Sequence, residues 1–356
     1  MRIGIDAREL CGHATGVGRY LSGLLTEWSR SPRARAHEFV LYAPEPPALR
    51  LDTRQFVPRI LGGTHGTWWE QVRAPRAAAS DRVDVWFAPA YSAPLSIGVP
   101  TALAVHDVSF FARPEWFTVR EGVRRRWLTR ESIARAAVVI TISQFSKREL
   151  MERLDVPADK IRVIPPGVAP NHQPPATSHR VLYVGSLFTR RHVGGLIRAF
   201  APVARAHADA GLDIVGDNRT YPIEDIRGVI HDEGLDAHVV WHDYVNDDRL
   251  RALYAGARAF AFLSEYEGLG LTPLEALAAG LPPVLLDTPI ARESCGDAAL
   301  YVALGDRHAA TRALAQALFD EGVRGAILAA APAVLARYDW CRAADETLVA
   351  IVRASG

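Results

Sequence analysis

Short apolar runs alternate with longer amphipathic segments along the whole chain. In the first half, several of the runs that predict strands are apolar at every position, which is typical of parallel strands covered on both faces. These runs are residues 2–5, 38–42, 83–88, 101–105, 138–142 and 161–164. Between them, the amphipathic segments 18–29, 120–135 and 146–154 are long enough for the crossover helices that parallel strands require.

The alternation breaks once and then restarts. Residues 168–179 hold three prolines and small polar residues without periodicity, which is typical of a linker. Beyond it, strands are predicted at 180–184, 212–215, 239–241, 260–263 and 283–286, and helices at 194–208, 248–255 and 272–279. We therefore predict an α/β protein of two doubly wound domains, residues 1–170 and 177–338. The last segment, about 339–356, is predicted to be helical, and its return to the first domain stays an open option.

Composition excludes several classes of protein. The 356 residues are 49% apolar and 23% charged, which is ordinary for a globular chain. The 41 basic and 40 acidic residues leave a net charge of +1, so no overall field draws the chain to nucleic acid. Cys11, Cys295 and Cys341 are far apart, without metal-ligand spacing, which argues against a disulfide framework or a structural zinc site.

The beginning of the sequence favours a cytoplasmic protein. Asp6 and Arg8 stand where a signal peptide needs an apolar core. In addition, no apolar run approaches the roughly 18 residues of a membrane span. We therefore expect a cytoplasmic location.

The most specific local pattern is the segment 264–280, which follows an apolar run and opens a predicted helix. Its loop Gly268-Leu269-Gly270 points backbone N–H groups at a place suited to a phosphate or a sugar, and Glu267 there can accept hydrogen bonds from sugar hydroxyls. Glu275 has two interpretations of equal weight. It is either part of the same site or one half of a capping box with Thr272, followed by Pro273 at the first helical position.

Three further patterns are weaker when each is taken alone. Arg190 and Arg191 follow a predicted strand and offer planar clamps for phosphate oxygens, although such a pair is usually a solvated surface feature. Gly16 and Gly18 precede a predicted helix, but a long loop separates them from the strand end where a dinucleotide fingerprint would begin. His106 ends an apolar strand at the edge where ligands bind, and a single histidine there is more often structural.

Two aromatic and basic clusters also have two interpretations. The run from Arg124 to Trp127 suits contact with anionic lipid or an acidic acceptor, but a charge run on a helix is more commonly a solvated face. Trp68 and Trp69 suit either an acceptor groove or the core, and core packing is favoured.

Together these segments resemble glycosyltransferase family 4, the retaining transferases of the GT-B fold. Glu267 and Glu275 match the E-x7-E motif of that family, and similar segments follow one another over nearly the full chain. They are residues 5–8, 15–20, 105–107, 142–146, 163–168 and 183–186. The resemblance implies a GT-B architecture, in which two Rossmann-like domains face each other across a cleft.

The resemblance also implies roles for individual residues. Glu267 would hold sugar hydroxyls, Glu275 the ribose hydroxyls, and the backbone of Gly268 and Leu269 would meet the sugar and the diphosphate. The other donor-binding residues in this interpretation are Gly16, Gly18, Ser186, Arg190, Arg191, Tyr244 and Val245. His106 and Glu267 are assigned to catalysis.

The arginine clamp departs from the pattern of the family. Arg191 stands where a lysine is usual, Ser186 where an arginine is common, and His192 where Asn or Gly is usual. Phe188 and Thr189 replace a common Glu-Pro pair. We expect a clamp that is present but altered.

The implied activity is retaining transfer of a hexose from a nucleoside-diphosphate sugar to a glycan, a lipid-linked molecule or a natural product. Negative charge builds on the departing diphosphate, and fixed arginines and helix N-termini can stabilise it, so neither a metal nor another cofactor is needed. Asp247 and Asp248 are interpreted as charges at a helix N-terminus. GDP-mannose is the first candidate donor, and UDP-hexoses are the next.

Two other classes of function stay as alternatives. An NAD-dependent sugar-nucleotide epimerase or oxidoreductase also uses doubly wound domains, but its fingerprint is missing here. A non-catalytic bilobal protein that binds nucleotide sugars is the second alternative. The expected partners are a nucleotide sugar and an acceptor, not nucleic acid, with peripheral contact at the inner face of the membrane as a further option.

Overall fold

The computed structural model describes residues 1–12, 16–63, 66–169 and 178–356, and in it the chain divides into two compact units. The first unit comprises Met1–Gly167 and Tyr338–Gly356, and the second comprises Val168–Arg337. Most of the predicted linker, residues 170–177, lies outside the described residues.

The first unit is built on a sheet of seven parallel strands. They are β1 (Arg2–Asp6), β2 (Glu38–Ala43), β3 (Phe56–Ile60), β4 (Val85–Ala88), β5 (Thr101–Ala104), β6 (Val138–Thr141) and β7 (Ile161–Val163). Their spatial order is β3-β2-β1-β4-β5-β6-β7, so the direction of winding reverses between β1 and β4. Strands β1, β2, β4, β5 and β6 are almost entirely buried, as the apolar runs predict.

Helices of the first unit connect these strands. They are α1 (Gly16–Arg30), α2 (Ala74–Asp81), α3 (Ser109–Ala112), α4 (Val119–Arg135) and α5 (Gln144–Leu154). Short 3-10 turns lie at Arg8–Leu10, Ala34–Ala36, Pro114–Trp116 and Ala158–Lys160, and a π-helical turn lies at Trp69–Arg73.

The second unit repeats this plan with six parallel strands. They are β8 (His179–Val184), β9 (Ala210–Val215), β10 (Val239–His242), β11 (Ala259–Phe262), β12 (Pro283–Leu286) and β13 (Leu300–Val302). Its helices are α6 (Val193–Ala206), α7 (Ile226–Asp232), α8 (Asp247–Gly256), α9 (Leu271–Ala278), α10 (Pro289–Cys295), α11 (Arg307–Phe319) and α12 (Glu321–Leu335), with a 3-10 turn at Thr189–Arg191. The order β10-β9-β8-β11-β12-β13 reverses between β8 and β11.

The last helix, α13 (Trp340–Ala354), packs against α1 in the first unit. The indole Nε1 of Trp28 donates a hydrogen bond to the carbonyl of Ala344 at 2.9 Å. The ring of Trp340 lies so close to Gly23 that a Cβ at that position would stand 2.5 Å from it. A glycine in the middle of α1 therefore makes room for a tryptophan that comes more than 300 residues later.

Two strands were missing from the sequence-based prediction, β3 and β13. Both lie at an edge of their sheet. In β3 only Phe56 is buried, and β13 has three residues of which one is buried, so neither carries the continuous apolar run of a central strand. The prediction of two doubly wound parallel sheets is confirmed.

Candidate active site

Two predicted motifs meet at the reversal point of the second sheet. Strands β8 and β11 are neighbours there, with Val181 paired to Ala259 and Leu182 to Phe260. The segment after β8 carries the paired arginines, and the segment after β11 carries Glu267. In open parallel sheets, ligands bind outside the carboxyl ends of the strands at such a reversal. The topology therefore brings together residues that are 76 positions apart in sequence.

Glu267 is held by an arginine and a serine. The Nε of Arg191 donates to Glu267 Oε1 at 2.8 Å, and the hydroxyl of Ser264 donates to the same oxygen at 2.9 Å. The Nε of Arg190 lies 3.9 Å from that oxygen and donates to the carbonyl of Tyr266 at 3.1 Å. Only 13% of the Arg191 side chain and 18% of the Glu267 side chain are exposed, so water screens this pair weakly.

Both members of the pair are charged. Burial by itself would raise the pKa of Glu267, but the charges of Arg191 and Arg190 outweigh burial and hold this pKa below its ordinary value. Burial likewise opposes the charge of Arg191, and the carboxylate of Glu267 overcomes it, so the pKa of Arg191 is raised. At neutral pH the turn after β11 thus presents a fixed carboxylate beside two cations.

Aromatic rings hold the two guanidinium groups in place. The guanidinium of Arg190 lies 4.4 Å from the ring centre of Phe188, and that of Arg191 lies 5.3 Å from the same ring and 4.9 Å from Phe262. The Nη1 of Arg191 also donates to the carbonyl of Ser186 at 2.8 Å. Phe188, which the sequence shows only as a departure from the family pattern, therefore serves as a cation–π platform for the clamp.

Glycines at the ends of β8 and β9 allow this close packing. Gly185 has a φ of +142°, and a Cβ there would stand 2.7 Å from Nη1 of Arg191. Gly216 has a φ of +145°, and its Cβ would clash with the backbone carbonyl of Gly185. Both positions need glycine because of their backbone conformation as well as the space around them.

The substitution Gly216→Ala tests how rigid this edge is. We expect it to lower stability by about 3 kcal/mol, because it combines an unfavourable φ with overlap against backbone atoms that cannot swing aside. Thermal unfolding should show a clearly lower Tm. Gly98→Ala is the matched control, since a Cβ at Gly98 would meet open space. Equal Tm values for the two variants would contradict the packing described here.

The N-terminus of α9 carries no side-chain cap. The helix begins at Leu271, with Gly270 at the capping position at a φ of +89° and without a side-chain hydrogen bond. Thr272 is the second residue of the helix, so of the two interpretations of Glu275 the capping box with Thr272 is wrong. The first turn of α9 presents backbone N–H groups beside Glu267, which favours a negatively charged ligand.

A small pocket, open to solvent, lies at this helix end within the second unit. Its lining includes Ser264, Glu267, Leu269 and Gly270. Glu267 and Leu269 thus border a concave place at the start of α9, which is the kind of position where ligands bind.

The remaining donor-binding candidates of the second unit lie along the same edge. The hydroxyl of Ser186 hydrogen-bonds to Asp217 and helps to lower the pKa of that carboxyl against the effect of burial. Tyr244 and Val245 follow β10, and Tyr244 is exposed. β10 lies two strands from β8, so the end of β10, which these residues follow, is about 10 Å from the end of β8. Glu275 lies half-buried on α9.

In the first unit, His106 follows β5 at the carboxyl edge and is buried. Its Nε2 lies 2.7 Å from the carbonyl of Pro89, and because a carbonyl only accepts, Nε2 carries the proton and Nδ1 the lone pair. The rings of Tyr20 and Tyr91 meet the imidazole edge-on, at 4.8 and 5.7 Å. Burial lowers the pKa of His106, which keeps the ring neutral.

A buried ionic network supports the loop that carries Pro89. Arg8 donates to both carboxylate oxygens of Asp6 and, at 3.0 Å, to Glu70. The hydroxyl of Ser92 donates to Glu70 at 2.6 Å, so the network holds the loop that ends β4. Asp6 and Arg8 belong to a segment noted in the sequence, but nothing in the sequence connects them to Glu70.

The glycine-rich segment before α1 is described only in part. Helix α1 begins at Gly16, and Gly18 lies in its first turn and is buried. Thr15 lies outside the described residues. A Cβ at Gly16 would meet open space, so packing does not require glycine there.

Two acidic residues lie at the N-terminus of α8. Asp247 and Asp248 form the first turn of α8, as predicted for helix N-terminal charges. Within the described ranges, no three His, Cys, Asp or Glu side chains are grouped closely enough to hold a metal ion.

Two family models match consecutive parts of the chain. The model described as "Glycosyltransferase Family 4" matches residues 14–172, and the model described as "Glycosyl transferases group 1" matches residues 169–332. The chain belongs to glycosyltransferase family 4. The resemblance noted from the E-x7-E motif is thereby confirmed, and the protein is a glycosyltransferase.

Relatives of this family 4 enzyme include proteins named as mannosyltransferases. O-antigen chain mannosyltransferase B of Escherichia coli is 27% identical over 257 residues, which is 68% of this chain and 68% of the relative. The GDP-mannose:cellobiosyl-diphosphopolyprenol alpha-mannosyltransferase of Xanthomonas oryzae pv. oryzae is 31% identical over 224 residues, or 60% of this chain and 57% of the relative.

A solved structure shows the same fold. Alr3699/HepE of Anabaena, crystallised with UDP and glucose, superposes with a TM-score of 0.78 at 17% sequence identity. The match covers 99% of this chain and 100% of that one. The GT-B fold expected from the sequence is therefore confirmed for the family 4 enzyme.

Proposed function

We propose that this enzyme transfers a hexose, with mannose as the first candidate, from a nucleoside-diphosphate sugar to a hydroxyl of its acceptor, with retention of configuration. The acceptor would be a glycan, a lipid-linked molecule or a natural product. The observation that carries the proposal is the pair of Arg191 and Glu267 at the reversal point of the second sheet, 2.8 Å apart and mostly buried. It offers a cation to a diphosphate and a carboxylate to sugar hydroxyls at one place.

In the proposed donor complex, Arg190 and Arg191 bind the diphosphate together with the N–H groups at the start of α9. The hydrogen bonds and rings that hold Arg191 fix its direction before the donor arrives, so little reorganisation is needed. Glu267 accepts hydrogen bonds from the sugar, and the backbone of Gly268 and Leu269 lines the same turn.

The other end of the donor lies further along the edge in this proposal. Glu275 binds the ribose hydroxyls, and the backbone of Tyr244 and Val245 meets the base. Ser186 lies next to the diphosphate in this proposal, and Gly16 and Gly18 at the start of α1 are proposed as further donor-binding residues.

In the proposed reaction, the bond between the anomeric carbon and the diphosphate oxygen breaks while the acceptor oxygen bonds from the same face. The acceptor proton passes to the leaving phosphate oxygen. Negative charge grows on the diphosphate, so the fixed arginines stabilise the transition state more than the ground state, and no metal ion is required. His106, neutral and oriented through Pro89, positions the sugar.

The names of similar proteins support two donors. The Xanthomonas relative is named for GDP-mannose and for a diphosphopolyprenol acceptor, and the Escherichia coli relative is named as a mannosyltransferase. They favour GDP-mannose and a lipid-linked acceptor. The structure of Alr3699/HepE holds UDP and glucose, which keeps UDP-hexoses as the second candidate donors.

A thermal-shift screen tests the donor class. GDP-mannose or a UDP-hexose should raise the Tm of the enzyme, while NAD should leave it unchanged, because a ligand that binds only the folded state stabilises it. Stabilisation by NAD alone would overturn the proposal. Turnover of a labelled donor, including slow hydrolysis without acceptor, excludes a protein that only binds nucleotide sugars, and NMR of the product gives the anomeric configuration.

Replacing His106 with alanine tests its role. We expect kcat to fall about a hundredfold, with a smaller change in the KM of the donor, because the sugar loses a group that sets its position. His238→Ala is a matched control: that imidazole also bonds to a backbone carbonyl, of Ala210, but it precedes β10 and lies at the opposite edge of its sheet. A near-normal kcat for His106→Ala would show that the histidine is structural.

A further inference from the structure

Glu70 is a buried carboxylate that has no part in the proposed reaction. Only 2% of the residue is exposed. One of its oxygens, Oε1, accepts a hydrogen bond from Ser92 at 2.6 Å and another from Arg8 at 3.0 Å. Keeping a carboxylate away from water costs free energy, which its two donors must offset. An apolar side chain of similar volume would fill this space without that cost, so packing alone does not explain a carboxylate here.

Glu70 belongs to the π-helical turn Trp69–Arg73, which leads into α2. Within this turn Trp69 is buried, and the guanidinium of Arg8 lies 5.3 Å from the centre of its ring. Trp68, just before the turn, is 67% exposed, so the core packing favoured for both tryptophans holds only for Trp69. Single π-helical turns occur frequently at functional sites.

The π-helical turn holds the segment after β4 through two adjacent side chains. Glu70 accepts the hydrogen bond from Ser92, and the amide of Gln71 binds the residues that follow. Its Nε2 donates to the carbonyl of Ala93 at 3.1 Å, and its Oε1 accepts from the N–H of Leu95 at 2.9 Å. The position of this segment therefore depends on the π-helical turn.

The first residues after β4, 89–92, form a loop that contacts His106 and is called the β4 loop below. The carbonyl of Pro89 accepts a hydrogen bond from Nε2 of His106 at 2.7 Å. The ring of Tyr91 meets the imidazole edge-on at 5.7 Å, and its hydroxyl donates to Asp107, the residue after His106, at 2.7 Å. The β4 loop thus sets both the tautomer and the plane of the imidazole.

The β4 loop has an unfavourable backbone conformation at Tyr91. Its φ of +54° lies in the left-handed region, where a residue with a Cβ is strained. Such a conformation persists only where its surroundings hold it in place. The N–H of Tyr91 donates to the carbonyl of Ala104 at 2.8 Å, and the next residue, Ser92, is fixed by Glu70. Loss of the hydrogen bond from Ser92 should therefore allow the β4 loop to relax.

We propose that Glu70 is a positioning residue for His106, and that it acts through Ser92 and the β4 loop. The hydrogen bond from Ser92 keeps the carbonyl of Pro89 opposite Nε2, so the imidazole keeps its proton on Nε2 and its lone pair on Nδ1. Arg8 balances the charge of Glu70 and fixes the direction of its carboxylate. The importance of His106 for the reaction rests on the proposed function, whereas the effect of Glu70 on its tautomer does not.

Removing the hydroxyl of Ser92 tests the proposal and leaves the ion pair of Glu70 and Arg8 in place. In Ser92→Ala we expect kcat to fall about tenfold while the KM of the donor changes less than about twofold, because the imidazole loses its fixed direction and the donor site of the second unit is untouched. Ser92→Thr keeps the hydroxyl and should recover most of the loss. Thr311→Val is the matched control, with an unchanged kcat, since its hydroxyl also joins two elements, through the carbonyl of Ala199, but does so in the second unit.

NMR of the histidine ring nitrogens shows the tautomer without any substrate. The signals of His106 are identified by their loss in His106→Gln. The wild type should show a protonated Nε2 and an unprotonated Nδ1, and Thr311→Val should give the same spectrum. In Ser92→Ala the two nitrogens should shift toward the average of the two tautomers. The proposal is overturned if the His106 signals are the same in Ser92→Ala as in the wild type, whatever the rate.

The contribution of Glu70 itself is measured in combination with Ser92. If the carboxylate acts through the hydroxyl, Glu70→Gln should lower kcat in the wild type but no further in the Ser92→Ala background. Losses that multiply would show that Glu70 acts by another route and would also overturn the proposal. A changed tautomer in Ser92→Ala with a normal kcat would support the positioning by Glu70 and would instead remove His106 from the proposed reaction.

Discussion

Replacing Glu267 with glutamine is expected to lower kcat/KM by roughly 10²–10³-fold, the range seen when one preorganised hydrogen-bonding group is lost from an active site. Glutamine keeps the shape of the side chain but removes the negative charge. The sugar hydroxyls lose a charged acceptor, and Arg191 keeps its buried charge without the carboxylate that balances it.

Glu265→Gln provides the control for that measurement. Glu265 lies in the same turn, but its carboxylate bonds to Nε2 of His192 at 2.6 Å instead of to Arg191. Steady-state kinetics should show that this variant keeps most of its activity. Thermal unfolding should show how far each variant is destabilised, so that rates are compared on folded enzyme. Equal losses in the two variants, or an unchanged rate in Glu267→Gln, would remove Glu267 from the mechanism.

Replacing Arg191 with glutamine is expected to have a still larger effect, a loss of about 10³-fold or more in kcat/KM, because the cation that faces the growing charge on the diphosphate disappears. Arg191→Lys should recover much of the activity, since lysine keeps the charge but gives up the planar contacts with Phe188 and Phe262. A lysine variant as inactive as the glutamine variant would show that the shape of the guanidinium, and not its charge, is essential.

The two variants of Arg191 should differ in the pH dependence of kcat/KM. In the wild type the two arginines hold the pKa of Glu267 below its ordinary value of 4.5, so the carboxylate stays ionised down to acid pH. In Arg191→Gln the effect of burial is opposed only by the more distant Arg190, so this pKa should rise. The acid limb of kcat/KM should therefore move to higher pH in Arg191→Gln and not in Arg191→Lys. An acid limb at the same pH in both variants would contradict the coupling.

The free energy of unfolding should also depend on the ionisation of Glu267. The lowered pKa of Glu267 means that the unfolded chain binds its proton more readily than the folded protein does. The stabilisation from the pair is therefore present above the ordinary pKa of glutamate and is lost as pH falls through the lower, folded value. Acid unfolding should begin at higher pH in Arg191→Gln.

The candidate site was only partly visible in the sequence. The spacing of Glu267 and Glu275 and the segment around them identified the family, because local motifs are read directly from neighbouring residues. The contact between Arg191 and Glu267 was not visible, since it depends on β8 and β11 being neighbours in the sheet. Phe188 was recorded only as a departure, and its function as a platform appears once both guanidinium groups are seen beside its ring.

The sequence by itself determined that the protein has two doubly wound parallel sheets, because buried parallel strands must be apolar at nearly every position. It also determined the family, through Glu267, Glu275 and the other family-like segments that follow one another along the chain. Only the tertiary structure decided the start of α9, the place of α13 and the edge strands β3 and β13. Helix capping, packing between distant segments and half-exposed strands depend on what each residue meets in space, and short-range patterns do not carry that information.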